Sequence, residues 1–273
     1  MKIKKIFISV IFLLSTTIAI FTLISIVNQL VKENEECAEI ENSIFELKKS
    51  VIKTDNKDEN EKDIFKEKVE DIYMDRQFDW DEIHNINEDI VGWLYIPNTN
   101  IDYPILQEQE VDEQYYLHHD YKGDYLYAGS VFTPKQPYEE IEDAHMLLFA
   151  HRMKDKTIMF SSLSSYYYDK ESMLENKYVY IYRRDKVERF VVWCTKNTKY
   201  NDSVYTLPYV LGSEQYKDLL LNIETTSNHV IGDSPSENDK TLVLSTCAGK
   251  SGGSERFFVV FKIDEIKVEK VRE

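Results

Sequence analysis

The chain has 273 residues, with 33 Lys+Arg against 49 Asp+Glu, and is 42% hydrophobic and 13% aromatic. That apolar content excludes a wholly disordered chain. Residues 1–32 hold four lysines and no acid, so the other 241 residues carry a formal −20, which excludes a generic phosphate-binding, nucleic-acid surface.

Ile6–Val27 is a run of 22 residues with no charge and six hydroxyl side chains. About 20 apolar residues cross a bilayer core. Lys2, Lys4 and Lys5 precede the run and acids follow it, so the positive-inside bias places the N-terminus in the cytoplasm and the rest outside. A cleaved signal peptide is the competing reading, but no A-x-A-type site lies around Ser25–Asn28. The sequence therefore predicts a retained signal anchor, with residues 1–32 as cytoplasmic tip and transmembrane segment.

Residues 33–75 hold 15 acids, seven lysines and no Gly or Pro. Ile40, Ile44 and Leu47 recur at helical spacing, as do Ile64, Phe65, Val69 and Ile72. Two amphipathic helices are expected, broken near Thr54–Asn60, forming an acidic stalk before the folded domain at 76–273. Cys37 lies in this stalk and is read as incidental.

From Asp79 the pattern changes. Asp79 and Glu82 have capping-box spacing and predict a helix over Trp80–Ile86. Eight β-rich segments follow: Val91–Ile96, Ile101–Ile105, Gly129–Thr133, His145–Ala150, Tyr178–Tyr182, Glu188–Cys194, Thr241–Thr246 and Phe257–Ile263. This strand content predicts a mainly β fold, a closed barrel or a sandwich. Helical insertions are expected near Ile158–Tyr168 and over Glu214–Glu224, the latter capped by Ser213.

Three strand ends carry reactive chemistry. Cys247 closes the apolar run Leu242–Leu244 and opens a small, Gly-containing segment. A thiol there is accessible and well positioned, although a free Cys is as often buried and inert. Cys194, inside Val191–Cys194, fits the buried pattern. His151 ends the apolar strand Met146–Ala150; the plainer reading is a surface His opening a loop. Arg256 opens the strand Phe257–Val260 nine residues after Cys247, so a tight connection returns it beside the cysteine; the alternative is an exposed Arg paired with Glu255. A thiol, an imidazole and a guanidinium supply nucleophile, proton donor and oxyanion partner for acyl transfer. Cys37, Cys194 and Cys247 are too few and scattered for a disulfide framework or a CxxC metal site.

These residues carry a resemblance. Leu244-Ser245-Thr246-Cys247 followed by Arg256-Phe257-Phe258-Val259-Val260 resembles the Cys and Arg motifs of the sortases. Phe149–Asp155, running into Met159-Phe160, is similar to the class B histidine motif, usually of G-H-N-M form; here Ala150 and Arg152 replace the Gly and Asn. Asn87–Pro97, Asn100–Ile105, Tyr115–Asp120 and Ala128–Phe132 continue the class B match, which covers about residues 60–270. Ala248–Glu255 is richer in Gly and Ser than many class B versions.

The resemblance implies a closed eight-stranded sortase-type β-barrel with N-terminal helices and a helix before the penultimate strand. It implies a transpeptidase with Cys247 as nucleophile, His151 as general acid/base and Arg256 stabilising the oxyanion and substrate, with Ser245 a candidate substrate-binding residue. The implied partners are surface proteins bearing a C-terminal sorting signal, cleaved after Thr, and an amine of the cell-wall precursor. No cofactor or metal is implied.

Three other readings compete with this one. Pilin polymerisation would use a Lys of another protein as amine. A metal hydrolase would draw ligands from His118-His119-Asp120, His145 and His151, but no HExxH pattern is present. A noncatalytic peptide-binding module would suit the 19 tyrosines, although strand packing accounts for tyrosines as well.

Overall fold

The computed structural model describes residues 2–54, 73–108, 112, 114–134, 144–153, 158–206, 208–248 and 253–268. Residues 1–46 and 47–273 form two compact units. Helix α1 spans Lys2–Val51 and supplies the described part of the first unit. It contains a stretch long and apolar enough to cross a membrane, and Phe12, Leu13, Phe21 and Leu23 along it are exposed. No Gly or Pro interrupts residues 33–51, so the apolar run and the first expected stalk helix are one helix. The second stalk helix, with Ile64, Phe65, Val69 and Ile72, lies outside the described residues.

The second unit is mainly β. A short antiparallel pair, β1 (Ile52–Thr54) and β2 (Gln77–Phe78), comes first. Helix α2 (Trp80–Ile86) follows, its first turn capped by the Asp79 carboxylate accepting from the Glu82 N–H at 3.2 Å. The sheet strands are β3 (Ile90–Tyr95), β4 (Asp102–Leu106), β5 (Val131–Phe132), β6 (His145–Phe149), β7 (Tyr178–Tyr182), β8 (Lys186–Lys199), β9 (His229–Val230), β10 (Thr241–Cys247) and β11 (Glu255–Val268). They lie in the order β11-β10-β6-β5-β4-β3-β7-β8, and β8 pairs back with β11. Eight strands thus close into a barrel, and β9 is a two-residue addition to β8. Closure leaves no long unpaired edge. It relies on the 14-residue strands β8 and β11, with register shifts between Val260 and Phe261 and between Ile263 and Glu265. Such irregularities bend a strand round a barrel.

All eight expected strands are present, offset by a few residues at their ends. The insertion expected over Ile158–Tyr168 is instead two short helices, α3 (Leu163–Tyr166) and α4 (Lys170–Glu175). The chain turns sharply before α3, where Met159 takes φ +51°. Asp169 then restarts it through a reciprocal cap with Ser172.

Helix α5 (Glu214–Thr226) begins where the Ser213 hydroxyl accepts from the Tyr216 N–H. Its stripe of Tyr216, Leu219, Leu220 and Ile223 packs on Leu147 of β6, Trp193 of β8, Val243 of β10 and Phe258 and Val260 of β11. Burying a large side chain contributes about 1.5–3 kcal/mol. This cluster fixes the face of the barrel that carries the site.

Candidate active site

Alternate residues of a strand share a face, so Thr241, Val243, Ser245 and Cys247 line one side of β10. α5 covers the first half: Thr241 is hydrogen-bonded to the Tyr216 hydroxyl, and Val243 sits in the helix cluster. Beyond the helix, Ser245 is buried and shares a 2.8 Å hydrogen bond with the Tyr205 hydroxyl. Cys247, the last residue of the strand, is half-buried and free.

β6 and β10 are parallel, with Phe149 opposite Ser245. The Thr246 hydroxyl donates to the Ala150 carbonyl at 2.9 Å and continues the register past the strand end. Cys247 and His151 therefore leave their strands at the same level. On the other side β10 and β11 are antiparallel, with Cys247 opposite Arg256. The Ala248 N–H donates to the Glu255 carbonyl at 2.9 Å. The Cys247–Arg256 pair is therefore the non-hydrogen-bonded kind, whose side chains approach most closely. His151, Cys247 and Arg256 form a row across three adjacent chains, and all three line a cleft of about 370 Å³.

The His151 ring faces the Tyr115–Leu117 turn. The Leu117 carbonyl hydrogen-bonds it, and Nε2 is buried with no partner among the described residues. His118 lies 5.2 Å away between ring centroids, and Tyr127 stacks on His151 at 5.7 Å. Burial first, and the neighbouring His118 second, lower the pKa of His151, against the pull of the Leu117 carbonyl. Neutral imidazole is thus favoured in the folded protein.

Arg256 Nη1 donates to the carbonyls of Gly253 at 2.8 Å and Glu255 at 2.9 Å. These bonds fix the guanidinium and leave Nε and Nη2 for a ligand. Tyr205 roofs the cleft; burial pushes its hydroxyl up to about 12, while Ser245 and Arg256 pull it down. Leu117, Phe132, Pro134, Phe149 and Tyr200 make the cleft largely apolar.

A second depression, of about 550 Å³, meets the first at Cys247 and Arg256. It is lined by polar groups: Arg152, Ser164, Asn197, Thr198, Lys199 and Glu255.

Cys194 is buried inside β8, and burial pushes its thiol up to about 12. Cys37 lies on α1. Among the described residues, no three of the groups considered as ligands come together. His118 turns toward His151, while His119 stacks on Tyr115 at 3.8 Å and bonds its carbonyl. His145 is fully buried, with Nδ1 on the Thr241 hydroxyl and Nε2 on the Val204 carbonyl.

Sequence reasoning did not assign site positions to Tyr127, Tyr205 or the Leu117 carbonyl, and offered His118 only as a metal ligand. The Tyr115–Asp120 motif pointed at the first segment. Nothing in the residue pattern showed that it folds over the end of β6.

The sortase domain family model matches residues 94–264. The chain belongs to the sortase family. The chain is similar to sortase B of Listeria monocytogenes, 33% identical over 169 residues, which cover 61% of this chain and 65% of that protein. It is also similar to sortase B of Staphylococcus aureus, 28% identical over 68% of this chain and 75% of that one. The crystal structure of Clostridium perfringens sortase B superposes with a TM-score of 0.61 at 26% identity, covering 68% of this chain and 100% of that chain. Among sortases, then, the chain is of class B. The match spans just under two thirds of the Listeria protein's length.

Proposed function

We propose that this sortase is a membrane-anchored cysteine transpeptidase that cleaves the C-terminal sorting signal of surface proteins after Thr and transfers them to an amine of the cell-wall precursor. The observation that carries this reading is the row His151–Cys247–Arg256 at the mouth of one cleft. Cys247 gives its thiol proton to Nε2 of His151 as its sulfur attacks the scissile carbonyl, Arg256 offers its remaining donors to the oxyanion, and His151 passes that proton from Nε2 to the departing amine as the C–N bond breaks. The resulting thioester keeps the acyl group activated for an incoming amine. Ser245 acts through Tyr205, whose ring it fixes over the cleft.

The domain reading is part of the proposal: 1–32 as cytoplasmic tip and anchor, 33–75 as stalk, and 76–273 as an extracytoplasmic catalytic domain. It is supported by the apolar stretch of α1 and by the folded unit that follows it. Both proposed substrates lie on the outer face of the membrane, where this topology places Cys247. A peptide-library cleavage screen, run with and without added amine donors, tests the reading. Cleavage after Thr that yields amide product with a donor supports it; no cleavage of any peptide rejects it.

A further inference from the structure

Two histidine rings meet behind the nucleophile. The backbone of the second is fixed: the His118 N–H donates to the Tyr115 carbonyl at 3.2 Å, and the His118 carbonyl accepts from the Leu126 N–H at 2.9 Å. The His118 ring lies 5.2 Å from His151 between centroids, and Tyr127 contacts both, at 6.0 Å and 5.7 Å. His118 is outside the lining of the cleft, so what it does to the reaction it does through His151. The other groups around His151 offer it no opposite charge. Among the described residues, Cys247 from β10, Arg256 from β11, and Tyr200 and Tyr205 from the chain after β8 share its cleft, and no carboxylate lines it. Arg152 follows His151 in the chain. A proton on His151 would therefore sit among a guanidinium and a second imidazole. Burial and His118 both lower the pKa of His151, against the pull of the Leu117 carbonyl.

We propose that His118 is a positioning residue for this reaction, one that holds the resting pair as Cys247 thiol and neutral His151 and opposes the thiolate–imidazolium form. This rests on the transpeptidation reading above. Two imidazoles this close titrate as a coupled pair, in which a proton on one raises the cost of a proton on the other. With His151 neutral, the Nε2 lone pair is available when the substrate carbonyl arrives. The Cys247 proton moves to it as the C–S bond forms. The same proton leaves with the amine as the C–N bond breaks, and His151 is neutral again in the thioester. Between those two events His151 is an imidazolium beside His118, which makes it the stronger acid and favours release of the proton to the departing amine.

The test uses full-length protein in detergent and a cleavable peptide from the library screen, with kcat/KM followed across pH so that both limbs of the free enzyme are read. Two variants separate charge from shape. His118→Phe keeps a flat ring without a titrating group, and His118→Arg makes the charge permanent on a planar group that stacks. In a neutral pair, removing the charge stabilises only the form with both Cys247 and His151 protonated. His118→Phe should therefore raise the acid midpoint by about half a pH unit, the scale of one unit charge about 5 Å away screened by water, and leave the alkaline midpoint in place. His118→Arg should return the acid midpoint to the wild-type value or below it. An alkaline midpoint that rises in place of the acid one would show a resting thiolate–imidazolium pair and overturn the proposal. Equal loss at every pH with both midpoints unmoved, the result of a packing role alone, would overturn it too. Alkylation of wild-type Cys247 by iodoacetamide, followed by mass, needs no variant: its rate should climb at the alkaline midpoint, and a rate already at its plateau just above the acid midpoint would overturn the proposal. Wild-type protein that cleaves no peptide at any pH would overturn the transpeptidation reading, and the alkylation profile would still decide the state of the pair.

Discussion

Cys247 faces Arg256 across the last pair of β10 and β11, with no backbone hydrogen bond between the two residues to hold their side chains apart. The guanidinium is anchored by Nη1 on two carbonyls of its own loop, so its remaining donors have a fixed aim. An ammonium cannot reproduce that fork. Arg256→Lys should lose about 10²–10³ in turnover, the usual effect of removing one oxyanion donor. Its melting temperature should stay near wild type, because the residue sits at a strand end. Near-normal turnover by the Lys variant would show that Arg256 is a surface residue only.

Gly129 controls the other side of the cleft. It takes φ +57°, and a Cβ there would collide with the Tyr116 and Leu117 carbonyl oxygens. The Leu117 carbonyl is the backbone group set against His151. Gly129→Ala should cost about 1–3 kcal/mol of stability through backbone strain. It should also lower turnover of the folded fraction by displacing the imidazole. Thermal melts alongside active-site titration separate the two effects. A variant with wild-type melting and turnover would contradict this account of the turn.

His145 makes a pH prediction. Burial pushes its pKa down to about 4, so the folded protein holds it neutral. The unfolded chain protonates it near 6.5. Its contribution is therefore complete above about pH 6.5 and is lost as pH falls toward about 4, amounting to on the order of 3 kcal/mol. His145→Gln should be less stable at pH 7.5 but lose less on acidification. Melting curves of both proteins between pH 7.5 and 4.5 check this, and parallel acid slopes would refute it.

The strands and α5 were legible because each is a run of Val, Ile, Phe and Tyr, or an apolar stripe behind a Ser cap. The strands β1, β2 and β9 were not, being two or three residues long and held by pairing rather than by pattern. The segment Ile158–Tyr168 read as one helix, because its apolar spacing does not reveal the positive φ at Met159 that turns the chain. At the site, strand ends pointed to Cys247, His151 and Arg256, and the short β10–β11 connection already implied their proximity in part. The parallel pairing of β6 with β10, which sets His151 level with Cys247, joins residues 96 apart and leaves no local trace. The placement of Tyr205 over Ser245 is equally nonlocal.

The topology is tested in cells. Residues beyond about Lys32 should be digested when protease is added to intact, wall-stripped cells, and the purified protein should retain its N-terminal apolar segment. A body protected until the membrane is opened, or a mature chain beginning after Val27, would contradict the signal anchor.

The central claim is that Cys247 carries the acyl group. Intact-mass measurement after incubation with a cleavable sorting-signal peptide tests it most directly. The account predicts an adduct on Cys247 that an amine discharges. The adduct should be absent in Cys247→Ala, retained in Cys194→Ala, and nearly lost in Cys247→Ser, because a hydroxyl is the far weaker nucleophile near neutral pH. His151→Ala should reduce adduct formation comparably, without adding much to the loss in Cys247→Ala. Cleavage and transfer at the wild-type rate by Cys247→Ala would contradict the account.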